Sequence, residues 1–271
     1  FCGVLKVLML FVAGVVVVAI LLGKNPMTLF AGLGATSAVL MLVFKDTITG
    51  LAAGVRLTSN DMLHKGDWIT VKSVDANGIV EDMSLTTVKV RNFDNTIVTI
   101  SPITLVNGSF QNWIGMQKSG GRRVKRVVYF DFRSVRLVDE TLKRNLLAKH
   151  FATEDSFKLK ESLQKAIDKD IQEGKDIEDL KNPAALAPTN LQLYRKFMEK
   201  YLRQRPEVNT DLTLMVRHME ATQCGLPIEF YFFIKDKVWV NYEHILADIM
   251  EHAYALANEF GLKIYEQYPE Q

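Results

Sequence analysis

The stretch VFKDTITGLAAGVRLTSND, Val43 to Asp61, decides how the fold is read. An apolar run stops there at Lys45-Asp46, and small residues continue beyond the charges before the chain turns polar. Spacings of three and four residues place Gly50, Ala53 and Gly54 on one face of a helix. The stretch therefore predicts a helix that bends or leaves an apolar environment at its charged pair. Its bare face would then let neighbouring subunits approach closely.

The sequence predicts two membrane-spanning helices. The first precedes this stretch, and the second runs into it. Residues 1–22 contain only the charge of Lys6, and residues 27–44 contain none. At about 1.5 Å per residue these runs reach roughly 33 Å and 27 Å, against about 30 Å of hydrocarbon. A signal peptide is the alternative for residues 1–22, but a basic leading region and a small-residue cleavage site are missing. Because the chain begins inside an apolar run, we expect a fragment with further spans upstream.

The second span carries a stripe of small residues, which are Ala31, Gly32, Gly34, Ala35 and Ala38. Small residues let helix backbones approach closely in lipid. The stripe predicts a tightly packed ring of identical helices, and a two-helix hairpin packed within one protomer is the alternative. In such a ring, Lys45 of one protomer would pair with Asp46 of its neighbour.

Composition and motifs give little support for catalysis, metal binding or nucleic-acid binding. A formal charge of +2 is too small to argue for nucleic acid as a partner. Cys2 and Cys224 are the only cysteines, which fits a soluble part in a reducing cytoplasm. The five histidines lack metal-ligand spacing, and nucleophile-elbow, P-loop and dinucleotide motifs are absent. We therefore expect neither an enzyme nor a cofactor.

Short strands follow the second span. GDWITVKS, GIVEDMSLTTVKVRN and NTIVTISP alternate β-branched and polar residues, with turn signals at 75–78 and 93–95. Four or five strands within residues 58–114 predict a small closed or nearly closed β-barrel. Residues 115–121 (GMQKSGG) read as a linker.

Residues 122–265 predict an α+β domain. Strands are expected at 122–132, 212–220 and 228–235, helices at 134–150 and 241–260, and a closing strand at LKIY, 262–265. The polar stretch 155–205 reads as a helical surface insert. A basic run comprises Arg122, Arg123, Lys125 and Arg126. It fits an exposed strand, with nucleic acid, anionic headgroups or the lining of an aqueous vestibule as alternatives.

Several motif blocks resemble one known family. GLAAGV (50–55) after a small-residue span, then GDWITV (66–71) and GIVEDMSLTTVKVRNFDNTIVTISP (78–102), are similar to the small-conductance mechanosensitive channel (MscS) family. The tail from Gly225 to Ile264 resembles that family's C-terminal domain more loosely. With the insert, the chain looks most like the larger bacterial miniconductance branch typified by YbdG.

The resemblance implies a ring-shaped homoheptameric channel of the bacterial inner membrane, opened by bilayer tension in hypo-osmotic shock. It implies a pore helix at 27–57 and a cytoplasmic cage made of a β-barrel (Sm/OB-like) and an α+β domain. Membrane lipids, permeating ions and further copies of the chain would be the partners. A non-conducting membrane scaffold whose cytoplasmic domains bind a partner is the alternative.

The resemblance also assigns site residues. Matched through GLAAG, the family's two pore-sealing leucines fall on Ala38 and Leu42, its kink glycine on Asp46 and its second pore-helix glycine on Gly54. Because Ala38 is too small to seal, we expect the constriction to shift toward Leu42 and Phe44.

Overall fold

The computed structural model describes residues 2–158, 165, 169 and 187–267. The chain divides into two compact units, Phe1–Ile114 and Gly115–Gln271.

The first unit begins with two helices, α1 (Cys2–Leu21) and α2 (Pro26–Ser59). Both are long and apolar enough to cross a membrane. Nearly all of their side chains are exposed over the apolar part. An exposed surface of this kind is stable only in an apolar solvent or against other apolar helices.

A five-stranded antiparallel sheet follows α2. Its strands are β1 (Trp68–Val71), β2 (Ala76–Met83), β3 (Val88–Asn92), β4 (Ile97–Ile100) and β5 (Gln111–Asn112), and helix α3 (Pro102–Asn107) lies between β4 and β5. The order is β4-β3-β2-β1-β5, with an irregular register between Val80 and Asp82. Within the described part of this unit, β4 and β5 remain at opposite ends of the order and do not pair. The sheet is therefore open by its hydrogen bonds, which excludes the fully closed form of the expected barrel and is compatible with the nearly closed form.

The first turn of this sheet differs from its prediction by a few residues. Residues Lys72–Val74 form a 3₁₀ turn, Asp75 adopts φ 51° in the left-handed region, and Ala76 already begins β2. The turn at Phe93–Asn95 forms as predicted, with Asn95 at φ 69°. Aspartate and asparagine tolerate this conformation better than most residues.

The second unit is a three-stranded antiparallel sheet with helices. It contains α4 (Ile114–Lys118, whose first residue closes the first unit), β6 (Arg122–Phe130), α5 (Glu140–Ala148), α6 (Asn190–Gln204), β7 (Met215–His218), β8 (Leu226–Ile234) and α7 (Trp239–Ala257). The order is β6-β8-β7. One face of β8 is fully apolar and joins a single core with α5, α6 and α7. The predicted closing strand is a single bridge between Ile264 and Phe130.

Helix α6 corrects the expectation that 155–205 is a surface insert. Its Tyr194, Met198 and Leu202 are fully buried, and the Tyr194 hydroxyl donates to the Ala253 carbonyl at 2.6 Å. Burial raises the pKa of Tyr194. Only one stripe of α6 is apolar, so its average composition reads as polar although the helix belongs to the core. Most of the stretch before residue 187 lies outside the described residues.

The expected linker, 115–121, is held firmly by the second unit. The Lys237 ammonium donates to the carbonyls of Gln117 (2.7 Å) and Ser119 (2.9 Å). The Asn209 side chain donates to the Gly120 carbonyl at 2.8 Å. A Cβ at Gly121 would lie 2.8 Å from the Ile234 carbonyl oxygen, which leaves room only for glycine. The segment is therefore a hydrogen-bonded strap rather than a free connection.

Candidate pore helix and its anchor in the β-domain

Helix α2 runs without interruption through the charged pair Lys45-Asp46. It begins at Pro26, where the Asn25 side chain accepts a hydrogen bond from the Met27 amide at 2.9 Å, and it ends at Ser59. Its 34 residues correspond to about 51 Å at 1.5 Å per residue, well beyond about 30 Å of hydrocarbon. The helix continues through Lys45-Asp46 over this excess length, and the bend or exit from the bilayer expected at the charged pair stays a prediction.

The predicted constriction residues lie on the exposed part of α2. Leu42 is 73% exposed and Phe44 is 53% exposed, and Ala38 is exposed as well. At about 100° per residue, Leu42 and Phe44 point about 200° apart, so one axis cannot be faced by both. Ala38 lies within about 40° of Leu42. The unbroken helix is therefore compatible with Leu42 as a constriction residue, and Phe44 belongs to the opposite side.

Within the described part of the chain, the small residues around Leu42 have no packing partner. A Cβ added at Gly32 or Gly34 would meet no atom within 4 Å, and Ala35 is exposed. An apolar groove of about 440 Å³ separates α1 from α2, with Phe11 and Val15 on one wall and Leu33 on the other. In the described part of the chain the stripe is therefore not packed against α1, which does not support the hairpin alternative.

Lys45 and Asp46 are exposed, and neither makes an ion pair within the described part of the chain. Thr49, one turn later, donates its hydroxyl to the Lys45 carbonyl at 2.7 Å. Both charges are exposed, and the pairing of Lys45 with Asp46 of a neighbouring copy stays a prediction.

The face of small residues at the end of α2 is buried within the first unit, where α2 packs against α3. Gly50, Ala53, Gly54 and Leu57 are the buried residues of the helix. A Cβ at Gly54 would lie 2.9 Å from the Leu85 carbonyl carbon and closer still to its oxygen. The helix therefore approaches the β2–β3 turn so closely that only glycine fits. The Gly54 contact is intramolecular, whereas the sequence predicted a contact of this position with adjacent subunits. For Gly50, where an added Cβ would meet no atom within 4 Å, that contact stays a prediction.

Leu57 anchors the helix in the β-domain core. It is fully buried, in one cluster with Leu63, Val80 and Leu105. The sequence analysis assigned no anchoring role to Leu57 and did not identify Leu85. Leu85 lies in a short polar turn, where no periodic pattern points to contact with a helix.

The loop from α2 to β1 is fixed by Asp67. This carboxylate is 7% exposed. It accepts hydrogen bonds from the His64 amide (3.0 Å) and from the Asn112 side chain (2.8 Å). Asn112 lies in the last strand of the sheet, and it also donates to the Met62 carbonyl at 3.3 Å. Asp67 thus joins the loop after α2 to β5, the last strand of the sheet in sequence.

The basic run of β6 is divided between the two faces of its strand. Arg122 lies over the Tyr242 ring at 4.2 Å. On the other face, Lys125 lies 3.6 Å from the carboxylate of Glu229, which is fully buried and also accepts from Arg217 at 2.5 Å. The run therefore alternates as the exposed-strand reading predicts, and two of its cations are engaged in local contacts.

Comparison with known proteins finds a family model and several relatives similar to the first unit. Residues 46–115 match the family model described as mechanosensitive ion channel, beta-domain. The large-conductance mechanosensitive channel MscMJLR of Methanocaldococcus jannaschii is 29% identical over 149 residues, which are 55% of this chain and 40% of that protein.

Two solved structures share the fold at low identity. MSL1 of Arabidopsis thaliana has a TM-score of 0.61 at 11% identity, covering 97% of this chain and 74% of that one. MscS of Helicobacter pylori, in a closed state, has a TM-score of 0.57 at 14% identity, covering 99% and 81%.

Residues 46–115 of the chain are therefore similar to the β-domain of mechanosensitive ion channels, and this region follows two apolar N-terminal helices. It spans less than half the length of curated relatives that it matches. The YbdG-type branch rests on the sequence resemblance alone.

Proposed function

We propose that this chain is a subunit of a mechanosensitive ion channel that opens under membrane tension and passes ions without a cofactor. The observation that carries the proposal is that the two ends of α2 lie in different environments. Its first part is apolar and exposed, and its last part is inserted into the core of a mechanosensitive-channel β-domain. A helix of this kind links the bilayer mechanically to a folded domain.

The proposed assembly is a homoheptamer in the bacterial inner membrane, with both soluble parts in the cytoplasm. Its support is the arc of small residues around Leu42, which finds no partner within the chain. Lys45 at the inner end of the membrane-length run agrees with the excess of basic residues on the cytoplasmic side. Identical helices packed through this arc would place Leu42 of each copy toward a common axis.

Gating in this proposal depends on wetting of the Leu42 ring. Water in a narrow apolar constriction is unstable, so the closed ring excludes ions without a physical plug. Tension that widens the ring lets water and ions enter. The rest of α2 stays fixed to the β-domain through Gly54 and Leu57, so the movement of the helix is transmitted to that domain.

The test is single-channel recording of the reconstituted chain under suction, comparing Leu42→Ser with Phe44→Ser. The two changes remove similar apolar surface on opposite sides of one helix. We expect stepwise currents from the unmodified chain, a lowered opening tension or a leak for Leu42→Ser, and a smaller effect for Phe44→Ser. An assembled chain that passes no current under any suction would favour the non-conducting scaffold.

A further inference from the structure

A cavity in the second unit lies outside everything assigned to ion conduction. It has a volume of about 240 Å³ and is enclosed between one face of α6 and the turn that follows α5. The α6 side contributes Lys196, Phe197 and Lys200, and the turn contributes His150 and Phe151.

The inner wall of the cavity is aromatic. Phe151 and Phe197 meet edge to face, with ring centroids 5.2 Å apart, and both rings pack on Phe260 in the core. Phe151 and Phe197 are only partly buried. Their rings therefore present rigid apolar surface to the cavity, which an apolar group of a ligand would cover with a gain in free energy.

The rim of the cavity carries uncompensated positive charge. Lys196 and Lys200 are exposed, one helical turn apart, and neither makes an ion pair or hydrogen bond in the described part of the chain. Like charges at this spacing destabilise a helix slightly. The nearby Glu199 is already paired with Arg203 at 3.0 Å.

The acids of the opposite turn are also engaged. Asp155 pairs with Lys158 at 2.6 Å, and Glu154 lies 3.9 Å from Lys143. Among the described residues, the two lysines therefore face a small cavity without an acidic partner of their own, above an aromatic wall.

We propose that this cavity binds a small phosphomonoester with a compact apolar or aromatic body. The dianionic phosphate would bind Lys196 and Lys200 as two point charges, and the body would lie on Phe151 and Phe197. The volume is below the usual range of about 300–1,000 Å³ for drug-sized ligands, so the ligand is small. This assignment is independent of conduction by α2.

The proposal is tested by calorimetric titration of the full chain in detergent at pH 7.5 with phenyl phosphate. Inorganic phosphate, which lacks the body, and benzoate, which carries one charge, serve as comparison ligands. We expect saturable binding of phenyl phosphate and at least about tenfold weaker binding of both others, because a charged hydrogen bond or an apolar contact is lost.

The variant pair is Lys196→Gln/Lys200→Gln against Lys72→Gln, an exposed lysine in the other unit. The double variant is expected to weaken binding about tenfold or more, and Lys72→Gln to leave it unchanged. Circular dichroism and gel filtration establish that both variants fold. Undetectable binding of phenyl phosphate at millimolar concentration, equal binding of benzoate, or unchanged affinity in the double variant would overturn the assignment.

Discussion

In the first part of α2, a methyl group added at Gly32 or Gly34 meets no atom of the chain within 4 Å, whereas at Gly54 it meets the backbone of Leu85. The same residue type therefore serves two purposes on one helix. At Gly54 the reason lies inside the subunit, since the β2–β3 turn occupies the space. At Gly32 and Gly34 the reason has to lie outside it, in lipid or in neighbouring helices. A glycine-rich stretch is thus explained only when its contacts are known position by position.

The largest effect is expected at the anchored end, for Leu57→Ala. Leu57 is fully buried in the β-domain core, so truncation should destabilise this domain by about 2–5 kcal/mol. Denaturant unfolding followed by tryptophan fluorescence in a Trp239→Phe background reports on this domain through the stacked Trp68 and Trp113. Leu51→Ala, at a 44% exposed position of the same helix, is the control. Equal stability of the two variants would show that Leu57 does not anchor the helix.

A matched glycine pair sharpens the same contrast. Gly54→Ala introduces a Cβ against the Leu85 backbone, and overpacking of this kind costs about 1–3 kcal/mol. Gly50→Ala, one turn earlier, meets no atom within 4 Å, and alanine is favoured over glycine in a helix by about 1 kcal/mol. In the same unfolding assay, we expect Gly54→Ala to lower the free energy of unfolding and Gly50→Ala to raise it. A gain in stability for Gly54→Ala would mean that the turn yields, and that glycine is not required there.

The exposed half is tested by assembly rather than by stability of the domain. Gly34→Leu should reduce the fraction of assembled rings, because neighbouring helices would be held apart. Leu40→Val changes the side of α2 that lies about 160° from Leu42 and is the control. Mass photometry of the purified protein measures the distribution of oligomeric states. Intact rings for Gly34→Leu would mean that the small residues face lipid, and the ring would need another interface.

The smallest effect is expected for the charges between the two parts. Asp46→Lys places like charges around the proposed ring, and the exchange Lys45→Asp/Asp46→Lys restores a balance of charge. We expect a shifted opening tension for the single variant and partial recovery for the exchange, both weaker at high salt because exposed charges are screened. Identical opening tensions for the unmodified chain, the single variant and the exchange variant would show that no intersubunit charge pair contributes to gating at this position.

Much of this architecture follows from local pattern. Hydrophobic length predicted both long apolar helices, and alternation with turn residues predicted the strands around Trp68, Val80 and Val90. Whether the barrel closes fully was not predictable from sequence, because closure depends on the pairing of strands that are distant along the chain. Helix α6 was missed as core since its apolar stripe is narrow and its composition is polar.

Tertiary contacts account for the errors at the candidate site. The contact of Gly54 with Leu85 joins positions about thirty residues apart, and nothing in either local sequence encodes it. The roles of Asp67 and Asn112 depend likewise on bringing the first and last strands together. By contrast, the opposite orientation of Leu42 and Phe44 follows from helical periodicity alone once the helix is known to continue through Asp46.

The most direct test is whether Leu42 faces the ion pathway. In a background with Cys2→Ser and Cys224→Ser, which removes both native thiols, Leu42→Cys and Phe44→Cys are recorded under suction while a charged methanethiosulfonate reagent is applied. The account predicts that the open-channel current of Leu42→Cys changes irreversibly and that of Phe44→Cys does not. Modification of Phe44→Cys alone, or no effect on either current, would contradict it.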